Sequence, residues 1–228
     1  MVDAVIFDVD GTLVDSLDLL AQAWGEALAR VGRLVSLHAI RARLAEEGVE
    51  PAAAFLDAPE HARLAAHLEA LRAEHFRREG LSRVQPFPRV RPLFQALAAR
   101  GVRRALASPG RRDELEHHVR LCNLTGLVDA QVAQPEHGAR GGEGEHFRAA
   151  LDHLGGLSPE RVAVATGALG DVAAAHRAGL RCVGFTCGGA SEEALRNAGA
   201  DAVYSGPGDL LDHLETSPLV DGARISSG

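Results

Sequence analysis

The chain has no lysine: all 24 basic Lys/Arg positions among its 228 residues are arginine. That absence excludes a Walker-type phosphate loop, a Schiff-base lysine and a pyridoxal-phosphate anchor, each of which uses a lysine side chain. Any phosphate must then be held by arginine, backbone amides, hydroxyls or a metal. High-GC codon bias also produces such an arginine-for-lysine composition. Aromatics make up only 4% of the chain, so the core is expected to be aliphatic. The three cysteines lack a C-x-x-C spacing and read as buried small hydrophobes in a reducing cytoplasm, not as a disulfide framework. No stretch approaches the roughly 20 apolar residues of a membrane span, and no basic leader precedes the first apolar run. Acidic residues outnumber basic ones, giving a net charge of −7, which argues against nucleic acid or an anionic membrane as partner. The expected location is cytoplasmic.

What is present is an alternation. Short apolar runs rich in β-branched residues occur at 2–7, 102–107, 127–133, 161–165, 181–185 and 201–204. Helical periodicity lies between them, at 90–100, 112–121, 145–154, 172–178 and 192–197. Several helical segments end in glycine, which closes helices in the left-handed conformation. Strand alternating with helix predicts an α/β, doubly wound parallel sheet of Rossmann-like type. Its ligand site is expected at the carboxyl ends of the strands. From 16 to 85 only helical periodicity is visible, so an all-helical cap domain is expected there, inserted into a core made of 1–15 and 86–215. Gln85-Pro86-Phe87-Pro88 reads as the hinge back into the core. Residues 216–228 show no periodicity and are expected to form a flexible tail. The 138–144 stretch (GARGGEG) reads as a loop; it lacks the order of a dinucleotide fingerprint.

The chemistry concentrates in VIFDVDGTLVDS. Asp8 and Asp10 stand two apart as the first strand leaves the sheet, a spacing that puts both carboxylates on one side of an extended chain. Gly11 permits the turn, and Thr12 braces it. Paired carboxylates at a buried strand end are costly unless a metal or cation neutralises them. A second strand ends in Ala105-Leu106-Ala107-Ser108, and a third is followed by Asp171 opening a helix.

These segments resemble the haloacid dehalogenase-like hydrolase superfamily, in the helical-cap subgroup that includes phosphoglycolate phosphatases and β-phosphoglucomutases. Asp8-Val9-Asp10-Gly11-Thr12-Leu13 matches its first motif, Ser108 its second, and Asp171 to Gly179 the latter half of its fourth. The resemblance implies a phosphatase acting on a small phosphorylated metabolite through an aspartyl-phosphate. Asp8 would be the nucleophile, Asp10 the acid and base, and Ser108 a donor to the phosphoryl group. Mg²⁺ would be held by Asp8, Asp10 and Asp171. Read alone, Ser108 also suits a helix cap, and Asp171 an N-cap. The second aspartate, Asp10, favours phosphoester over carbon–halogen chemistry.

Two family residues are missing. The third motif normally supplies a lysine; aligned on Phe147, its position holds Gly141, beside Arg140. Arg140 is the candidate to hold the substrate phosphate, although a planar guanidinium does not replace a compact ammonium. The fourth motif normally opens Gly-Asp, and here the strand runs into Ala165-Thr166, so a metal loses one anionic oxygen. Losing a lysine and an aspartate together leaves the formal site charge nearly unchanged. Glu143 and Glu145 read as replacement ligands or as a solvated helix start. The histidines, among them His117, His118, His137 and His146, show no metal spacing and read as solvated or core residues. Arg111 and Arg112 read as phosphate-reaching or solvated. Three functions follow: an active Mg²⁺-dependent phosphatase, a catalytically impaired relative that binds a phosphorylated ligand or a protein, and a hydrolase with altered metal needs. Either a monomer or a homodimer is compatible with the sequence.

Overall fold

The protein's structure, a computed structural model, describes residues 1–47, 51–134 and 145–220. Its centre is β1 (Ala4–Phe7), whose four side chains are all buried. Around it stand β4 (Arg103–Arg111), β5 (Ala130–Gln134), β6 (Val162–Thr166), β7 (Arg181–Phe185) and β8 (Ala202–Tyr204). The six strands run parallel in the order β5-β4-β1-β6-β7-β8. Successive side chains of a strand point to opposite faces. Val5 and Phe7 accordingly enter one apolar cluster, and Ala4 and Ile6 the other.

Helices cover both faces, as parallel strands buried on two sides require. The Val5/Phe7 face receives α4 (Val90–Ala99), α5 (Arg112–Leu121) and α9 (Pro207–Asp212), through Leu93, Phe94, Leu97, Leu115, Val119 and Leu210. The opposite face receives α6 (Glu145–His153), α7 (Leu169–Arg177) and α8 (Glu192–Asn197), through Phe147, Ala150, Val172, Ala175 and Leu195. Cys122 and Cys182 are buried, Cys187 is half-buried, and all three are free thiols.

Between β1 and β4 lies a helical region of α1 (Leu17–Arg30), α2 (Leu37–Glu47) and α3 (Ala58–His75). The α1 helix packs against both others and buries Trp24, Ala27 and Leu28. The start of α3 is fixed by Asp57, whose carboxylate accepts the Glu60 N–H at 2.8 Å, with proline in the first turn. The chain enters and leaves this region through two short antiparallel strands, β2 (Val14–Asp15) and β3 (Gln85–Pro86). None of the helices among the described residues is long and apolar enough to cross a membrane.

The structure corrects several expectations. The β2–β3 pair and α9 were not foreseen, because each is held by distant partners and has little periodicity of its own. Instead of ending at Ala107, β4 continues to Arg111 through a bulge in its pairing with β5. The α7 helix starts at Leu169. The chain does not become a free tail at 216. Ser217 and Leu219 are fully buried, the Val2 N–H donates to the Leu219 carbonyl at 3.0 Å, and the Arg181 guanidinium donates to the Pro218 carbonyl at 3.0 Å. An apolar side chain and two polar contacts outweigh the lack of periodicity, so order persists to residue 220.

Candidate active site

The sheet register gathers the site. Phe7 stands opposite Leu106 on β4 and Ala165 on β6. Asp8, Ser108 and Thr166 therefore leave adjacent strands at one edge. Asp8 is buried, 3% exposed, and its Oδ2 accepts the Thr12 hydroxyl at 2.6 Å. The same Thr12 oxygen accepts the Gly167 N–H at 2.8 Å, so one buried hydroxyl ties the loop after β1 to the loop after β6. The two loops meet backbone to backbone. A Cβ at position 167 would lie 2.5 Å from the Gly11 carbonyl oxygen, and Gly11 itself takes φ +71°. Only glycine fits both demands. Asp10 is held by a second hydroxyl: its Oδ1 accepts the Ser16 hydroxyl at 2.6 Å.

Ser108 is also buried, and its Oγ accepts the Gly110 N–H at 3.0 Å. It does not cap α5, whose cap position is Arg111. The missing side chain of Gly110 leaves room for three oxygens: a Cβ there would lie 3.0 Å from Ser108 Oγ, 3.4 Å from Glu114 Oε2 and 3.8 Å from Asp10 Oδ2. Glu114, in the first turn of α5, accepts the Arg111 N–H at 3.5 Å through Oε2 and the Arg72 guanidinium at 2.7 Å through Oε1. Arg72 comes from α3 and has no exposed surface. It also binds Glu69 through two nitrogens and lies 5.8 Å from the Phe76 ring centre.

On the β6 side, Thr166 donates its hydroxyl to Asp171 Oδ2 at 3.1 Å and accepts the Ala168 N–H at 3.1 Å. Asp171 is not an N-cap. That position is Ala168, and Asp171 lies inside the first turn of α7 with its carboxylate turned to Thr166. Its other oxygen lies 3.6 Å from His146 Nε2 on α6, close enough to attract but too long for a hydrogen bond. Arg140, Gly141 and Glu143 fall outside the described residues, as does the side chain of Glu145. Arg111 reaches Asp113 at 3.4 Å and stays part-exposed.

Burial raises the Asp8 carboxyl well above the usual carboxylate range. The charges of Asp171 and Asp10 add to this, and the Thr12 hydrogen bond opposes it. Asp171 is raised by burial against the pull of His146 and Thr166. Burial lowers His146 against the charge of Asp171. Glu114 is pushed up to about 7 by burial, despite Arg72. Among the described residues no arginine forms an ion pair with Asp8 or Asp171.

Two residues escaped the sequence reading, and a third, His146, was read there only as solvated or core. Arg72 is one arginine among many on a helix, and Glu114 resembles an ordinary first-turn acid. His146 comes to Asp171 because α6 and α7 cover the same face of the sheet. None carried a local signal beyond its chemical type.

For a metal, the donors are hard oxygens. Among the described residues no three His, Cys, Asp or Glu side chains form a ready cage. Mg²⁺ does not need one, since it keeps several waters and binds through one or two carboxylates plus substrate phosphate. Asp8 and Asp171, both buried and raised by burial, with the charge of Asp171 raising Asp8 further, fit that requirement.

The chain is 30% identical over 228 residues to a phosphoglycolate phosphatase of Rhodospirillum rubrum, covering 94% of this chain and 91% of that one. It superposes on a hydrolase from Pseudomonas syringae with TM-score 0.80 and 26% identity, over 93% and 98% of the two chains. With a predicted phosphatase from Clostridium acetobutylicum the TM-score is 0.81 at 19% identity, over 95% and 100%. The family model for haloacid dehalogenase-like hydrolases matches residues 2–179. The chain belongs to the haloacid dehalogenase-like hydrolase family.

Proposed function

We propose that the protein is a phosphomonoester hydrolase that acts on a small phosphorylated metabolite through an aspartyl-phosphate. The observation that carries this reading is the convergence of Asp8, Asp10 and Ser108 at one edge of the sheet, with Asp171 acting on Asp8 from the β6 side. An Asp8 oxygen attacks phosphorus as the ester P–O bond breaks, and the leaving oxygen takes the proton of Asp10. Water then attacks the phosphorus of the aspartyl-phosphate and gives its proton to Asp10. The P–O bond to Asp8 breaks and inorganic phosphate leaves. Thr12 holds Asp8 in a single orientation for this attack, and Ser16 does the same for Asp10. The Ser108 hydroxyl would donate to a phosphoryl oxygen while its own oxygen accepts the Gly110 N–H. Asp8 and Asp171, with Asp10 beside them, would hold Mg²⁺, which supplies charge neutralisation for the phosphoryl group. The helical region between β2 and β3 would serve as the cap over the site.

The test is Mg²⁺-dependent hydrolysis of p-nitrophenyl phosphate, followed by 2-phosphoglycolate, the compound named by the Rhodospirillum rubrum relative. Asp8→Asn is the control. Metal-dependent turnover that disappears in this variant is the expected result; turnover equal in the two proteins sinks the reading. A second reading, binding of a phosphorylated ligand without turnover, is favoured by Thr166. Its hydroxyl is already spent on Asp171 and Ala168, where the family resemblance expects an aspartate.

A further inference from the structure

We propose that Arg72 and Glu114 are positioning residues that couple the seating of the helical region to the placement of segment 108–111. The proposal rests on the phosphatase reading for what that segment binds, not for the coupling itself. Arg72 and Glu114 are 42 residues apart and belong to different parts of the fold, α3 and α5. Their contact is almost without solvent, with side-chain exposures of 0% and 7%.

Glu114 works as a strut with two ends. One oxygen takes the Arg72 guanidinium at 2.7 Å; the other accepts the Arg111 N–H at 3.5 Å and faces the same point as Ser108 Oγ and Asp10 Oδ2. A planar carboxylate cannot move one oxygen without moving the other. A shift of α3 is therefore delivered to the turn that carries Ser108 and Gly110. Arg72 is stiffened before it reaches across, because Glu69 on its own helix holds two of its nitrogens and the Phe76 ring lies beside it. Stability alone does not account for the pair. A buried ion pair is commonly no better than well-packed apolar side chains of similar volume. The α3 helix otherwise packs mainly on α1 within the helical region; the chain passes between that region and the core at β2 and β3, and α2 packs on α7.

The test measures backbone hydrogen exchange at Gly110 and Arg111 together with steady-state kinetics on p-nitrophenyl phosphate. It uses the full chain and its Arg72→Met, Arg72→Lys and Glu114→Gln variants. Arg72→Met is expected to speed exchange at both amides several-fold. It should lower kcat by up to about a hundredfold, the scale of a small misplacement of catalytic groups, with a smaller change in KM. Arg72→Lys should recover part of both effects. The double variant should be no worse than the more damaged single one, since one strut is removed in each. Circular dichroism checks folding. If Arg72→Met does not fold, Glu114→Gln, which keeps the shape and leaves Arg72 its Glu69 partner, gives the same readouts. Unchanged exchange at Gly110 and Arg111 in a folded variant overturns the coupling, whatever happens to kcat. Absence of turnover in the unaltered chain overturns the phosphatase reading instead, and the exchange rates still decide the coupling.

Discussion

The two sides of the site bury carboxylates in opposite ways. On the β6 side, burial raises both Asp8 and Asp171, the charge of Asp171 raises Asp8 further, and their direct partners are two hydroxyls and a burial-suppressed imidazole. On the α5 side, Glu114 lies near Asp10 but meets a guanidinium delivered by α3. A buried charge is costly until something of opposite sign is brought to it. The α5 side carries its compensation in its own sequence, while on the β6 side no arginine among the described residues pairs with Asp8 or Asp171.

The largest effect that would break the contrast is the loss of Asp8. Asp8→Asn should reduce phosphatase kcat by about 10⁴-fold or more, as removal of a covalent nucleophile does elsewhere. The same variant should melt higher than the parent at pH 7.5 in the presence of a chelator. The folded carboxyl is raised above its unfolded value of 3.8, so the folded protein holds this proton more tightly and stability falls as pH rises from the unfolded value through the folded one. Well below pH 3.8, where both states of the parent are largely protonated, the difference should vanish in a thermal melt. Saturating Mg²⁺ should raise the parent's melting temperature, by about 2.7 kcal/mol of stability at a hundred times Kd, and should do much less for Asp8→Asn.

Next in size is Arg72→Met, which leaves Glu114 buried without its partner. The expected cost is about 3–5 kcal/mol, read as a drop in denaturation midpoint at constant slope. Glu114 stands near 7 in the folded protein against an ordinary value of 4.5. In the parent its contribution to stability should therefore decline between those pH values, and Glu114→Gln should flatten that decline. Smaller again is Thr12→Val. It removes one donor to Asp8 and leaves the Gly167 N–H unpaired, costing about 1–3 kcal/mol. The smallest effect sharpens the contrast instead of breaking it. Thr166→Asp should tighten Mg²⁺ binding about tenfold by adding an anionic oxygen, measured by calorimetry, while lowering stability in chelator.

The layout of the sheet was legible because fully buried parallel strands are written as short apolar runs with helical periods between them. β7, α5 and α8 occupy the predicted spans, and β1, β4 and β6 end within a few residues of the predicted limits. Asp8 and Asp10 stood out as candidates for a related reason: two acids closing an apolar strand contradict its burial unless they have a task. Pairing across sequence distance was not legible. The two-residue strands β2 and β3 pair only with each other, and the segment at Leu219 is held by Val2 and Arg181, both far away in sequence. Arg72 finds Glu114 through a helix whose Ala, Leu, Arg and Glu pattern does not distinguish one arginine from the next. His146 meets Asp171 through the packing of two helices on the same sheet face. Arg140, the residue expected to hold phosphate, lies outside the described residues, and its part remains a proposal.

The place of β1 has a consequence for how the protein is made. Of the strands in this sheet, the first to be synthesised is the one that ends in its middle, between β4 and β6. One of its edges waits for residue 103 to be synthesised and the other for residue 162. During that interval a bare hydrophobic ribbon is tethered to a helical region that can already begin to assemble. Translation speed between residues 8 and 166, and chaperones that shield such ribbons, should therefore govern the yield of folded protein.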